Sequence, residues 1–154
     1  MPAPLGRRRP PRPRRVTGTA CDVAVRADRE RLDILVNVVG TGQTMFRPAT
    51  ETTAEFYACL MATNLESCFH LAQLAHPLLV AAASGCGDAS SVVNISSIGG
   101  IISYPAMSVY AATKGAMNQV TRSLAVEWAK DNVRVNCVAP GGIRVTPRLL
   151  ITYN

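Results

Sequence analysis

Aromatic residues are scarce in this chain: three Phe, one Trp and four Tyr among 154 positions. None of them falls in its most basic stretch, so that stretch cannot stack rings on nucleic-acid bases. No apolar run is long enough to span a bilayer, so a membrane-spanning protein is not expected. The five cysteines (Cys21, Cys59, Cys68, Cys86 and Cys137) are odd in number and contain no Cys-x-x-Cys pair. With no signal-peptide pattern either, they read as reduced thiols in a cytoplasmic protein. Only two histidines occur, His70 and His76, and neither has a cysteine at ligand spacing. No metal centre is expected, and both histidines are assigned to a helix surface or to its packing.

An excess of one charge exists only locally. The formal net charge is +6, from 16 Lys and Arg against 10 Asp and Glu. Arg7, Arg8, Arg9, Arg12, Arg14 and Arg15 supply that whole excess, and residues 1–15 contain no acid. The rest of the chain is formally neutral, so a nucleic-acid-binding face is not expected. The same fifteen residues hold Pro2, Pro4, Pro10, Pro11 and Pro13. Such a segment buries no apolar area and is read as a disordered Arg/Pro-rich tail, with residues 16–154 as one partial domain. It lacks the serines and the amphipathic pattern of a transit peptide.

What is present is an α/β pattern. Apolar residues make up 48% of the chain, enough for one hydrophobic core. Val16–Val23 is β-branched and reads as the end of a strand, and 24–31 as a short charged helix or turn. Asp33–Val39 and Ser91–Ile95 are short apolar runs, the mark of strands buried on both faces. Val133–Ala139 is a third strand, broken by Pro140-Gly141-Gly142. Thr52 or Thr53 followed by Glu55 signals a helix start. That helix is expected to run to about Ala83 with a kink at Pro77, before a Gly-containing turn at Ser84–Asp88. A second long helix is expected from Met107 to Lys130. Strands alternating with helices imply a parallel sheet flanked by helices. The loops from Gly40, Ser96 and Pro140 would then share one edge, where ligands of such sheets bind.

Two polar residues stand out against this frame. Tyr110 and Lys114 are four residues apart inside the second helix, on one face and one turn apart. An ammonium beside a phenol favours the phenolate, which suits a general acid/base for a carbonyl oxygen. Ser97, in the loop leaving a buried strand, can hydrogen-bond the same oxygen. The plainer alternatives are a solvated helix face for the pair and a turn cap for the serine, a role open to Ser96 as well.

These residues sit in a longer series of motifs. Asn94-Ile95-Ser96-Ser97, Tyr110-Ala111-Ala112-Thr113-Lys114 and Val135-Asn136-Cys137-Val138-Ala139-Pro140-Gly141 resemble successive signatures of the short-chain dehydrogenase/reductase family. Asn37-Val38-Val39-Gly40 resembles its NNxG motif, Asn64 its helix asparagine, and Cys21-Asp22-Val23 the segment that meets the adenine ring. The resemblance runs from about Val16 to Pro147. HPLL at His76–Leu79, YAATKGAMNQ at Tyr110–Gln119 and EWAKDN at Glu127–Asn132 are similar to plant tropinone reductase-like enzymes.

The resemblance implies a partial Rossmann-type sheet and the reduction of a small-molecule ketone to a secondary alcohol with NADP(H), NAD(H) remaining open. Tyr110 would donate the proton, Ser97 hold the substrate oxygen, Lys114 hold the ribose, and Asn64 hold a water behind Lys114. Asp22, Val23, Asn37, Gly40, Pro140, Gly141, Ile143 and Thr146, with Tyr110 and Lys114, would contact the cofactor. The resemblance also implies a homo-oligomer joined through the two long helices.

The pattern also departs from the family. The TGxxxGxG turn that cradles a pyrophosphate has no match, so the first βαβ unit is expected to be missing; the sequence ends at Asn154, shortly after Thr146-Pro147, so the C-terminal strand is expected to be missing as well. Marginal stability, open sheet edges and weak dinucleotide binding follow. Val38 replaces the second Asn of NNxG, and an extra residue before Thr146 shifts that position. The alternative reading is a catalytically inactive truncated product able only to associate with related subunits.

Overall fold

The computed structural model describes residues 31–41, 46–86 and 88–142. The tail at 1–15, the Val16–Val23 strand with Asp22 and Val23, residues 24–30 of the charged segment, Ile143 and Thr146 lie outside the described residues.

The three apolar runs form strands β1 (Ile34–Asn37), β2 (Ser90–Ile95) and β3 (Val133–Val138). They pair in parallel in the order β1-β2-β3, with Leu35 beside Val92 beside Val135 and Asn37 beside Asn94 beside Cys137. Parallel neighbours need a crossover, and helices supply both. The first crossover holds α1 (Ala54–Met61), a π-helical turn (Ala62–Glu66) and α2 (Ser67–Cys86); the second holds α3 (Ser108–Glu127). Because the strands are parallel and in register, their carboxyl ends lie together. Ser96 N donates to Val138 O (2.8 Å) and Ile98 N to Pro140 O (2.9 Å), which joins the loops after β2 and β3.

Side-chain alternation decides where the core sits. Ala72, Ala75 and Leu79 of α2 and Leu124 of α3 close on Val92, Val133 and Val135. Two alanines on α2 let its backbone come close to the sheet. The expectation that the strands are buried on both faces is corrected here. Ile34, Val36 and Val138 are 61%, 51% and 50% exposed. Among the described residues, the helices pack on the Val92 face and no element covers the opposite one. An apolar run shows that a strand has two apolar faces; it does not show which elements lie over them.

Local signals set the helix boundaries. Of the two candidates, Thr52 and Thr53, the N-cap is Thr53, whose Oγ1 accepts from Phe56 N (3.2 Å). The single long helix expected from there is interrupted by the π turn, where Ser67 N reaches back five residues to Ala62 O. Ser67 Oγ donates to Thr63 O (2.7 Å), giving a partner to a carbonyl in that turn. α2 runs through Pro77 and includes Ser84–Cys86, so the turn expected from Ser84 begins later. α3 gives way to a 3-10 turn at Ala129–Asp131, closed by Asn132 in the left-handed conformation (φ 55°). His76 on α2 bonds Asp131 (3.2 Å) and lies 4.5 Å from the Trp128 ring, pinning that corner. The packing role expected of His76 is therefore observed, while His70 is exposed.

Candidate functional site

The edge formed by the strand ends carries the polar groups singled out in the sequence. β2 ends at Ile95, and the chain turns through a 3-10 segment at Ile98–Gly100. Ser97 is its N-cap, with Oγ accepting from Gly99 N at 3.1 Å. The plain capping role is therefore filled by Ser97, and it engages only the oxygen lone pairs. Among the described residues the Ser97 hydroxyl proton has no acceptor. Ser96 does something different: it is 5% exposed, and its Oγ donates to Lys114 O (3.1 Å).

Tyr110 lies in the first turn of α3 and faces Ser97 across Gly99. A Cβ placed on Gly99 would be 3.4 Å from Ser97 Oγ and 3.6 Å from Tyr110 Cε1, so both groups border one small space. Met107 Cε bounds it at 3.8 Å. Glycine at this position leaves that space open.

Lys114 follows one turn later, and its residue is 4% exposed. Its Nζ donates to Ile95 O (3.0 Å) and lies 5.9 Å from the centre of the Tyr110 ring. Burial pulls the Lys114 ammonium below the usual lysine range, opposed by the negative charge that the Cys68 and Cys137 thiols carry when ionised. Burial likewise pushes the Cys68 thiol up, opposed by the Ser67 hydrogen bond and by Lys114. Nζ would be 3.3 Å from a Cβ on Gly40 and Asn64 Oδ1 3.8 Å from it, so the loop after β1 can approach this ammonium because residue 40 has no side chain.

Asn64 sits in the π turn and is fully buried. Its Oδ1 accepts from Thr41 N (3.0 Å) and its Nδ2 donates to Thr113 Oγ1 (3.3 Å). It thus ties the loop after β1 to the helix that bears Tyr110 and Lys114. A π turn inserts one residue into the helical repeat, and such turns cluster at functional sites.

Asn37 is 1% exposed, beneath the edge. Its Nδ2 donates to Asn94 Oδ1 (2.8 Å), and Asn94 Nδ2 donates to Thr121 Oγ1 (2.9 Å). This buried chain links β1, β2 and α3. Asn37 Oδ1 has no partner among the described residues. Val38, in the position of the second Asn of NNxG, is 67% exposed.

The structure therefore brings Gly40, Asn64, Ser97, Tyr110, Lys114 and Pro140 to one edge, with Gly141 in open space beside Pro140. The sequence offers Ser96 only as an alternative turn cap and assigns no role to Gly100, Thr113, Asn118 or Thr121. The turn is held against α3 by Ser96 Oγ on Lys114 O, by Asn118 Nδ2 on Gly100 O (3.2 Å), and by the absence of a side chain at Gly100.

The family model described as enoyl-(acyl carrier protein) reductase matches residues 17–148. A tropinone reductase homologue of Arabidopsis thaliana is 49% identical over 143 residues, covering 85% of this chain and 52% of the relative. Senescence-associated protein 13 of Arabidopsis thaliana is 51% identical over 137 residues, covering 81% of this chain and 48% of the relative. The chain spans about half the length of the curated relatives it matches. Among solved structures, an NADH-dependent reductase complexed with NAD superposes with a TM-score of 0.69 at 31% identity, covering 73% of this chain and 47% of that one. A 4-hydroxyisoleucine dehydrogenase complexed with NADH gives 0.63 at 28%, again over 73% and 47%.

Proposed function

The chain belongs to the short-chain dehydrogenase/reductase family of oxidoreductases, and from that premise we propose that its site reduces a ketone to a secondary alcohol with a nicotinamide cofactor, preferring NADP(H). The observation that carries this reading is the convergence of Ser97 and Tyr110 on the space beside Gly99, with the Lys114 ammonium behind Tyr110.

The residues present fit the ribose-nicotinamide half of such a cofactor. Lys114 is a buried cation with one described hydrogen bond, to Ile95 O, and so has N–H groups to spare for ribose hydroxyls. Gly40 leaves room beside that cation, and among the described residues nothing lies within 4 Å of a Cβ placed on Gly141, next to Pro140. The nicotinamide, when bound, supplies the hydride to the carbonyl carbon. Ser97 then donates its unused O–H to the carbonyl oxygen, where charge develops. Tyr110 delivers a proton to the same oxygen. Lys114 orients the ribose, and Asn64 holds the Thr41 backbone and Thr113 in place around it.

The remaining parts of the reading follow. The substrate is a small cyclic ketone of the tropinone class. The protein works in the cytoplasm; no helix among the described residues is long and apolar enough to cross a membrane. It self-associates through α2 and α3, where a groove of about 340 Å³ runs beside Phe69, Gln73, His76 and Trp128. Leu74 and Val126, 74% and 80% exposed, lie on the same two helices.

The test is NADPH oxidation in the presence of tropinone and simple cyclic ketones, for the wild type and for Tyr110→Phe. The phenylalanine retains the ring and removes the proton donor, so the rate is expected to fall by about 10²–10⁴-fold. A Tyr110→Phe protein with the full rate would remove Tyr110 from the reaction.

A further inference from the structure

Asn118 lies one turn beyond Lys114 on α3, inside the YAATKGAMNQ stretch, and the reaction described above assigns it no task. Its carboxamide joins three elements. Nδ2 donates to Gly100 O (3.2 Å), in the turn that follows β2. Oδ1 accepts from the Cys137 thiol of β3 (3.4 Å). The amide itself is carried on α3.

Gly100 is the residue through which this contact acts. It closes the 3-10 turn that begins at Ser97: Gly100 N donates to Ser97 O at 2.9 Å. A Cβ on Gly100 would stand 2.6 Å from the Lys114 carbonyl carbon. Turn and helix therefore meet backbone to backbone, with no interlocking side chain to stop one from sliding along the other. Two side-chain bonds set their register: Ser96 Oγ to Lys114 O, and Asn118 Nδ2 to Gly100 O. Asn118 is the one that grips the end of the turn beyond Ser97.

We propose that Asn118 is a positioning residue which, through Gly100, holds the Ser97 hydroxyl at the distance from Tyr110 that lets both reach one substrate oxygen. This rests on the ketone-reductase reading of the site. The position needs a donor toward a carbonyl and an acceptor toward a thiol at once, a pairing that a carboxamide supplies. An ionised Asp has no donor and sets negative charge against the Gly100 carbonyl; a protonated Asp restores the donor. The titratable and charged groups nearest this position are Cys137 on β3 and Lys114 and Arg122 on α3, one turn to either side.

The test compares Asn118→Ala and Asn118→Asp with the wild type in the full chain. Rates of NADPH-driven ketone reduction are measured across pH, together with Tm and the exchange rate of the Gly99 amide, which is bonded to Ser97 Oγ. Asn118→Ala is expected to lower kcat at least about tenfold with KM within roughly twofold, because a misplaced hydroxyl affects the transition state more than binding. Its Gly99 amide should exchange about tenfold faster. Asn118→Asp should be slow at neutral pH and recover relative to the wild type as pH falls through its carboxyl titration, near ~4 in water and higher beside a carbonyl. An unchanged kcat and Gly99 exchange in Asn118→Ala would overturn the proposal, as would an Asn118→Asp protein with no acid recovery. If the wild type reduces no ketone, the functional reading fails by itself, and Gly99 exchange decides the role of Asn118.

Discussion

Replacing Gly100 by Ala tests whether the site depends on the close approach of turn and helix. The new methyl carbon would sit 2.6 Å from Lys114 C, 2.8 Å from Lys114 O and 2.8 Å from Gly115 N. All three are backbone atoms of a helix interior, so no flexible side chain can move aside. Carbon atoms separate to about 3.5–4.0 Å, so the turn must withdraw by roughly 1 Å. It withdraws with Ser97, whose carbonyl is bonded to Gly100 N. Overpacking of this kind costs about 1–3 kcal/mol, equivalent to about 2–4 °C of Tm per kcal/mol in a domain of this size. The displacement of Ser97 has the larger effect on rate, because a 1 Å error in a reacting group costs about 10²-fold. Thermal melting followed by circular dichroism and NADPH-coupled ketone reduction measure the two effects separately. A Gly100→Ala protein with wild-type Tm and kcat would show that the turn is not held against α3 as described.

Three further outcomes follow from the same geometry. In Gly99→Ala the atoms nearest the methyl are Ser97 Oγ, Tyr110 Cε1 and Met107 Cε, at 3.4–3.8 Å; Tm should change little while KM for the ketone rises, and an unchanged KM would place the substrate elsewhere. Asn94→Ala removes one acceptor of Asn37 Nδ2, which keeps its longer bond to Cys68 O (3.5 Å), and the donor to Thr121, so denaturant unfolding should show a loss of about 1–3 kcal/mol from the buried N–H left without its partner, with a cavity contribution on top. Lys114→Met addresses the buried ammonium. Its folded-state pKa is lowered by burial, so between that value and the unfolded value near ~10.4 the unfolded chain binds more protons. Stability of the wild type relative to Lys114→Met should therefore rise with pH across that window and be lower below it. A stability difference independent of pH would mean that Lys114 is not desolvated.

Much of the fold was legible in the sequence because its signals are local. The cap at Thr52 or Thr53, the apolar runs at β1, β2 and β3, and the end of the second long helix near Lys130 each depend on a few adjacent residues. The edge shared by the loops after the strands followed from parallel connectivity, which the alternation of strand and helix implies. The π turn at Ala62–Glu66 was not legible. Nothing in its composition departs from a helix; it is widened where Asn64 satisfies Thr41 N and Thr113 Oγ1, which are distant in sequence. The exposure of Ile34 and Val36 was equally hidden, since an apolar side chain reads the same whether or not another element covers it.

Residue chemistry was therefore determined along the chain. A phenol and an ammonium one helical turn apart must share a face, and a serine after a parallel strand must emerge at the carboxyl edge. What only the tertiary structure decided is which partner each polar group takes: Ser97 with Gly99, Ser96 with Lys114, and Asn118 with Gly100 and Cys137. Spacing along a chain governs direction over a few residues, whereas hydrogen-bond partners are set by the approach of backbones far apart in sequence. At Gly100 that approach is closer than any side chain would allow.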